Sequence, residues 1–240
     1  MIKRKIDLEY ERNYENKLML GSGAREKQEK YYWATEAGID RFNYMVSLGI
    51  TGKIVLEIGC SDGEHAETYI KTAAFVYGVD ISDVGVELAK SKGLANTSFQ
   101  VCDAHQLPFE DEFFDCVIVN SLLHHLDLNK GLKEISRVLK PGGSLWAREP
   151  LGINPFFKLY RYLTPGARTP DEQPFLIADF KIIRNYFIFN KVSYFGLLSI
   201  ASAFFKSHKL RSFLTSIDLI FSKTPLKYLY WNIAGEFIKK

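Results

Sequence analysis

Residues 55–63, VLEIGCSDG, constrain this chain more than any other stretch. Val55 and Leu56 run into Glu57 and then into a small-residue turn, Gly59-Cys60-Ser61-Asp62-Gly63. An apolar run that ends in glycines reads as a buried parallel strand that delivers bare backbone to a ligand. Glycine accepts positive φ and has no side chain, so a ligand can lie against the main chain there. The following HAETYIK reads as a helix, whose N-terminus offers unpaired N–H groups and positive potential. Strand, glycine turn and helix in that order predict an α/β fold with a pocket at the carboxyl end of the strand.

The rest of the chain repeats the rhythm. Residues 6–20 and 24–48 read as helices. Strands are expected at 53–58, 74–80, 97–102, 114–120 and 143–149, with helices at 64–71, 83–92 and 128–139 between them. Such alternation implies a mostly parallel, doubly wound sheet with helices on both faces. After Pro150 the pattern changes. Residues 151–174, with Pro155, Pro165, Pro170 and Pro174, read as a long loop. A helix at 178–187, a strand at 191–198, short basic helices near 200–206 and 210–222 and an antiparallel last strand at 228–238 complete a seven-stranded sheet. The expected organisation is an N-terminal helical cap over 1–50, a binding core over 51–150, and a substrate-shaping remainder over 151–240 continuous with that core.

In open α/β sheets, ligands bind outside the carboxyl ends of the strands. Strand one delivers Glu57 and the glycine turn, strand two Asp80-Ile81, strand three Cys102-Asp103-Ala104. Strand four delivers Asn120-Ser121 followed by His124-His125, and strand five Glu149-Pro150. One acid at a strand end is often only a turn former or helix cap. Acidic or amide groups at four consecutive strand ends beside a glycine turn describe a nucleoside pocket for a ligand with a cationic tail. Asp80 lies 21 residues after Gly59, where an acid can accept both hydroxyls of a ribose. The dinucleotide fingerprint G-x-G-x-x-G is not met, because the turn reads Gly59-x-Ser61-x-Gly63.

Four segments, VLEIGCSDG, GVDIS, CDAHQLPFEDEFFDCVIVNSLLHHL and LKEISRVLKPGGSLWAREP, stand in order over about residues 53–150. In these the chain resembles the class I S-adenosylmethionine-dependent methyltransferases, which implies a Rossmann-like fold and S-adenosyl-L-methionine as cofactor. The resemblance places Glu57, Gly59, Cys60, Ser61 and Gly63 around the methionine side. Asp80 would hold the ribose hydroxyls, with Ile81 against the adenine. Asp103 would bond the adenine amino group, beside Cys102 and Ala104, and Asn120 and Ser121 would lie near the methionyl part. Ser61 departs from the family, which usually has glycine there, and this predicts a distorted turn that still binds. The region after Pro150 is similar, more loosely, to bacterial methyltransferases acting on small molecules or glycans.

Methyl transfer from a sulfonium asks mainly for alignment and desolvation, and orientation alone can be worth roughly 7–11 kcal/mol. A hydroxyl acceptor also gains from a general base, on the order of 10²–10⁴ in rate. His124, His125 and Glu149 are the candidates, although a His pair can equally be a polar turn. Tyr14 and Tyr32, among the N-terminal aromatics, and Arg161 and Arg168, in the loop after strand five, are candidate acceptor contacts. The expected function is O-methylation of a small-molecule acceptor: a natural product, a sugar or a lipid-linked intermediate. N-methylation of a small amine and non-catalytic cofactor binding are the alternatives. A nicotinamide oxidoreductase is a third class, and it predicts a spectroscopic response to added NAD(P)H.

Net charge is only +3, but residues 155–240 carry 13 Lys/Arg against 5 Asp/Glu, in an aromatic-rich setting. Such a half could meet an anionic surface, so peripheral membrane contact is expected as an option. Nucleic acid is not expected as a partner. Ser-Leu-Leu follows Asn120 where amino-group methylators of bases have Pro-Pro-aromatic, and no basic stripe runs along the core. Cys60, Cys102 and Cys116 match no zinc spacing, so no metal is expected, and they read as thiols in a reducing cytoplasm. The N-terminus has no apolar run of the kind a secretory signal needs.

Overall fold

The computed structural model describes residues 7–21, 29–163 and 172–240. Seven strands form one sheet: β1 Ile54–Ile58, β2 Phe75–Asp80, β3 Thr97–Val101, β4 Phe114–Asn120, β5 Leu139–Pro150, β6 Phe187–Phe195 and β7 Asn232–Lys239. Their spatial order is β3-β2-β1-β4-β5-β7-β6. β7 runs antiparallel to both of its neighbours, and the other strands share one direction. This is the mostly parallel, Rossmann-like α/β sheet that the alternation implies. The strand order reverses between β1 and β4, which opens the crevice where a ligand sits.

Among the described residues, eight α-helices surround the sheet: α1 Leu8–Met19, α2 Glu29–Gly49, α3 Ala66–Tyr69, α4 Asp83–Ser91, α5 Leu128–Val138, α6 Pro155–Leu163, α7 Ile177–Tyr186 and α8 His208–Phe221. One core lies between the sheet and α5 and α7. There Leu132, Ile135 and Ile183 meet Val117, Leu145 and Phe237. The second lies under α2, where Phe42, Val46 and Ile50 meet Val55, Ile118 and Trp146. At the end of α2, Gly49 lets the indole of Trp146 approach to where a Cβ would sit 2.4 Å from Cζ2.

The structure departs from expectation mainly after Pro150. The expected loop 151–174 contains α6. Asn154 accepts the N–H groups of Phe156 and Phe157 on Oδ1 at 2.9 and 3.4 Å, and Pro155 takes the first helical position. Asn then Pro is a helix start, so one of the four prolines begins a helix. α7 runs straight into β6, which therefore begins earlier than expected and ends at Phe195. The last strand begins at Asn232, after a 3₁₀ turn over Pro225–Leu229. The Lys140-Pro141-Gly142-Gly143 turn lies within β5. Gly142 takes φ +70°, and the pairing with β4 slips between Phe114 and Cys116.

Candidate active site

β1 ends in the turn that carries the site. Gly59 takes φ +81°, and a Cβ there would meet Leu122 Cδ2 at 3.2 Å. The N–H groups of Gly59 and Cys60 both donate to the Val79 carbonyl, at 2.8 and 3.1 Å, which closes the turn against β2. Ser61 adopts φ +53°. The turn thus keeps a left-handed residue at position 61, and the cost falls on Ser61 rather than on the path of the chain. The Ser61 N–H donates to Asp80 Oδ2 and the Ser82 N–H to Oδ1, both at 2.8 Å. Each oxygen of the Asp80 carboxylate is thereby aimed by one backbone donor.

A cavity of about 650 Å³ opens over this turn. A volume in the range of roughly 300–1,000 Å³ is typical of small-molecule sites. Gly59, Cys60, Ser61, Asp80 and Ile81 line one side, with Cys102, Asp103, Ala104, Asn120 and Ser121 next to them. Tyr14 of α1 and Tyr32 of α2 face them. Two expected residues stand behind the wall. A Cβ on Gly63 would touch Ala89 and Phe99, so its place is in the packing of α4. Glu57 is 1% exposed beneath the turn.

Three polar side chains here have unmet atoms. Among the described residues, both Glu57 oxygens lack a hydrogen-bond partner, as do Asn120 Oδ1 and Arg148 Nε. His65 Nδ1 approaches Glu57 Oε1 to 3.3 Å, outside hydrogen-bond geometry. Burial pushes the Glu57 carboxyl upward, against the pull of His65. Burial also lowers Arg148, which as a guanidinium stays charged. The register puts all three on one sheet face. Asn120 pairs with Arg148, and Glu57 pairs with Ile118, two residues before Asn120. Each unmet buried group costs about 1–3 kcal/mol. A ligand with both an ammonium and a carboxylate, such as the methionyl end of S-adenosylmethionine, fits this set. Arg148 was not among the expected residues; its position opposite Asn120 is the signal that could have found it.

Asp103 is also fixed. His105 Nε2 accepts the Asp127 N–H at 3.0 Å, so its proton sits on Nδ1 and is donated to Asp103 Oδ1 at 2.7 Å. The His105 N–H donates to the same oxygen at 2.9 Å.

The far end of the cavity holds the histidines. Glu149, 1% exposed, accepts the N–H groups of Leu122 and Leu123 at 3.1 and 2.9 Å, and its Oε2 lies 2.6 Å from His124 Nδ1. Burial pushes its carboxyl up to about 7, against these two donors and the His124 N–H, which reaches Oε2 at 3.4 Å. Glu149 does not reach the cavity wall, whereas His124 does. Its place is therefore behind the imidazole, which it orients. His124 Nε2 stands 4.0 Å from Glu172 Oε1. His125 Nδ1 lies 3.3 Å from Glu11 Oε1 of α1. Burial lowers His125, but Glu11, with Glu172 and Glu149 beyond, outweighs it and the net shift is upward. Arg161 of α6 reaches the wall and is clamped onto Glu172 through Nη1, with Nη2 on the Glu172 carbonyl at 3.0 Å.

His124, His125 and Glu172 each bring one potential metal-ligand atom within 4.8 Å of the others. The Arg161 guanidinium already neutralises that Glu172 carboxylate, and a divalent ion would have to sit against it. Arg168 lies outside the described residues. Trp33, one of the N-terminal aromatics, faces away from the cavity and packs under Arg211, whose guanidinium carbon lies 4.6 Å from the ring centroid.

α1 closes the pocket from above. Asn16 donates to Asp83 Oδ1 at 2.8 Å and accepts from Ser82 Oγ at 2.6 Å, and Arg12 Nε donates to the Ile81 carbonyl at 3.1 Å. The helix is thus latched to the loop that leaves Asp80.

Residues 56–147 match the protein family described as "Methyltransferase domain". The chain carries an S-adenosylmethionine-dependent methyltransferase domain of the Rossmann-like class. Its methyltransferase segment is 33% identical over 132 residues to the probable tRNA methyltransferase 9B of Homo sapiens, covering 52% of this chain and 28% of that protein. It is 34% identical over 127 residues to the demethylmenaquinone methyltransferase of Tropheryma whipplei, covering 49% and 53%. The chain therefore spans about half, or less, of the curated relatives it matches. Over its whole length, the methyltransferase fold superposes on the magnesium protoporphyrin IX methyltransferase of Synechocystis, solved with bound S-adenosylhomocysteine. That match has a TM-score of 0.65 at 18% identity and covers 98% of this chain and 100% of that one.

Proposed function

We propose that this chain transfers the methyl group of S-adenosylmethionine to an oxygen of a small-molecule acceptor, with His124 as the group that takes the acceptor proton. One observation carries the reading. One cavity is lined both by Asp80, Asn120 and Arg148 and by His124, whose ring is backed by Glu149. When bound, S-adenosylmethionine supplies a sulfonium methyl that moves by in-line displacement, and S-adenosylhomocysteine leaves.

The tasks of the chain follow from its geometry. Asp80 is preset by two N–H donors to receive a diol. Asn120 and Arg148 offer unmet atoms to the amino-acid end, with the Glu57 carboxyl behind the wall. Tyr14 and Tyr32 face the strand ends and help to exclude water. His124 has its Nδ1 held by Glu149, so Nε2 is the nitrogen that gains the hydroxyl proton as the oxygen attacks. Glu149, in its ionised form, stabilises the resulting imidazolium, and Arg161, on Glu172, borders the acceptor space.

Two measurements test this. Calorimetry should show S-adenosylhomocysteine binding by the unmodified chain, and a loss on the order of 10²-fold in Asp80→Asn, which removes a charged acceptor. No binding by the unmodified chain overturns the reading. A labelled-methyl assay over phenols, quinols, sugars, amines and bulk tRNA then tests the acceptor. Transfer to tRNA alone would overturn the small-molecule assignment.

A further inference from the structure

α6 has two unlike sides. Inward, Phe157 and Arg161 line the cavity. Outward, Phe156 is 82% exposed and Tyr162 81%, and Leu163 beside them is also open. A second apolar outcrop follows β6, where Phe204, Phe205 and Phe213 are each more than 60% exposed. The two are joined at the pocket rim. Phe157 packs on Trp231 with ring centroids 3.9 Å apart, and the Trp231 N–H donates to the Gly196 carbonyl at 3.1 Å. The N–H groups of Leu197, Leu198 and Ser199 bond the Asp218 carboxylate of α8 at 2.7–3.1 Å. Large exposed apolar faces mark an interaction surface.

Charge says what kind of surface is met. Between residues 173 and 235 stand eight Lys/Arg and two acids, Asp179 and Asp218. Both acids are buried. Lys158, Lys206 and Lys209 stand exposed beside the aromatics. A second copy of the chain would bring the same positive rim against itself, which is unfavourable. Aromatic and aliphatic side chains edged by lysines match the interface of an anionic bilayer. Among the described residues no helix is long and apolar enough to cross a membrane, so any such contact lies on the surface.

We propose that the outer side of α6 and the 204–213 outcrop dock the protein on an anionic bilayer. Taken with the methyl-transfer reading, on which this part rests, the acceptor is an amphiphile. Its head enters past Phe157 while its apolar tail stays in the lipid.

Flotation with vesicles of phosphatidylcholine alone and of phosphatidylcholine mixed with phosphatidylglycerol tests the docking, with no acceptor present. The full chain should float with the anionic vesicles only, and added salt should weaken binding. Lys206→Glu/Lys209→Glu should cut partitioning on the order of tenfold or more, and Phe156→Glu/Tyr162→Glu should also cut it strongly. All these positions are exposed, and S-adenosylhomocysteine calorimetry on each variant verifies the fold and tests the cofactor reading separately. Failure to float with anionic vesicles overturns the proposal, as does equal binding to both vesicle types. Concentration-dependent dimerisation abolished by Phe156→Glu/Tyr162→Glu, without vesicle binding, assigns the face to a second copy instead.

Discussion

Ser61 holds a left-handed conformation that an L residue with a Cβ occupies at a cost of about 1–2 kcal/mol. Its φ of +53° and its N–H bond to Asp80 are what the turn needs, and the side chain adds only a contact to Met19 Sδ at 3.2 Å. Ser61→Gly should therefore raise stability by about 0.5–1 kcal/mol, after the larger unfolded-state freedom of glycine is allowed for. Thermal melting checks this, and cofactor affinity should stay within a few-fold. Glu149 is the second informative residue. Its folded pKa, pushed up to about 7 from an ordinary 4.5, means that the native state keeps a proton the unfolded chain has already lost between those values. Stability contributed this way is fully present below 4.5 and is lost as pH rises through 7. Glu149→Gln cannot ionise and should flatten the fall in melting temperature between pH 5 and 7. On the proposed reaction it should also lower kcat, on the order of 10²-fold or more, by freeing the His124 ring from its orienting carboxylate. An unchanged pH–rate profile in that variant would remove the dyad from the mechanism.

At the scale of elements, what the sequence showed depended on how local the cause is. The strand ends with Asp80, Asp103 and Asn120 were legible because each lies within a few residues of the feature that explains it. α6 was hidden by prolines, although Asn154-Pro155 carries the start signal. The boundary of β6 was hidden because Phe187–Asn190 prolongs an apolar run that suits helix and strand alike. The contact between Glu11 and His125 joins residues 114 apart and leaves no local pattern. α1 is the element whose role is easiest to isolate. Asn16→Ala removes two of the three polar ties that hold it to the loop after β2. Each such tie is worth about 0.5–1.5 kcal/mol. S-adenosylhomocysteine should then dissociate on the order of tenfold faster in stopped-flow, with the melting temperature of the ligand-free protein nearly unchanged. An equal loss in both would mean that α1 is part of the core rather than a cover.

Over the whole molecule, the parallel half of the sheet delivers Asp80, Asp103 and Asn120 to the cavity, and the part after Pro150 adds Phe157, Arg161 and Glu172 to its wall and carries the outward apolar face. The first half follows from short, repeated strand–helix units. The second is assembled by contacts between distant segments, such as Arg211 with Glu36 and Trp33. α1 ties two strand ends of the parallel half together, since Asn16 and Arg12 grip the loop beyond Asp80 while Glu11 holds His125 after β4. On the proposed reaction, α1 would set the pace of turnover: spent cofactor would depart as the helix lifts, and lifting would also part Glu11 from His125. Rapid-quench experiments should then show a burst of about one methyl transferred per chain before a slower steady rate, and in Asn16→Ala the burst should merge into that rate.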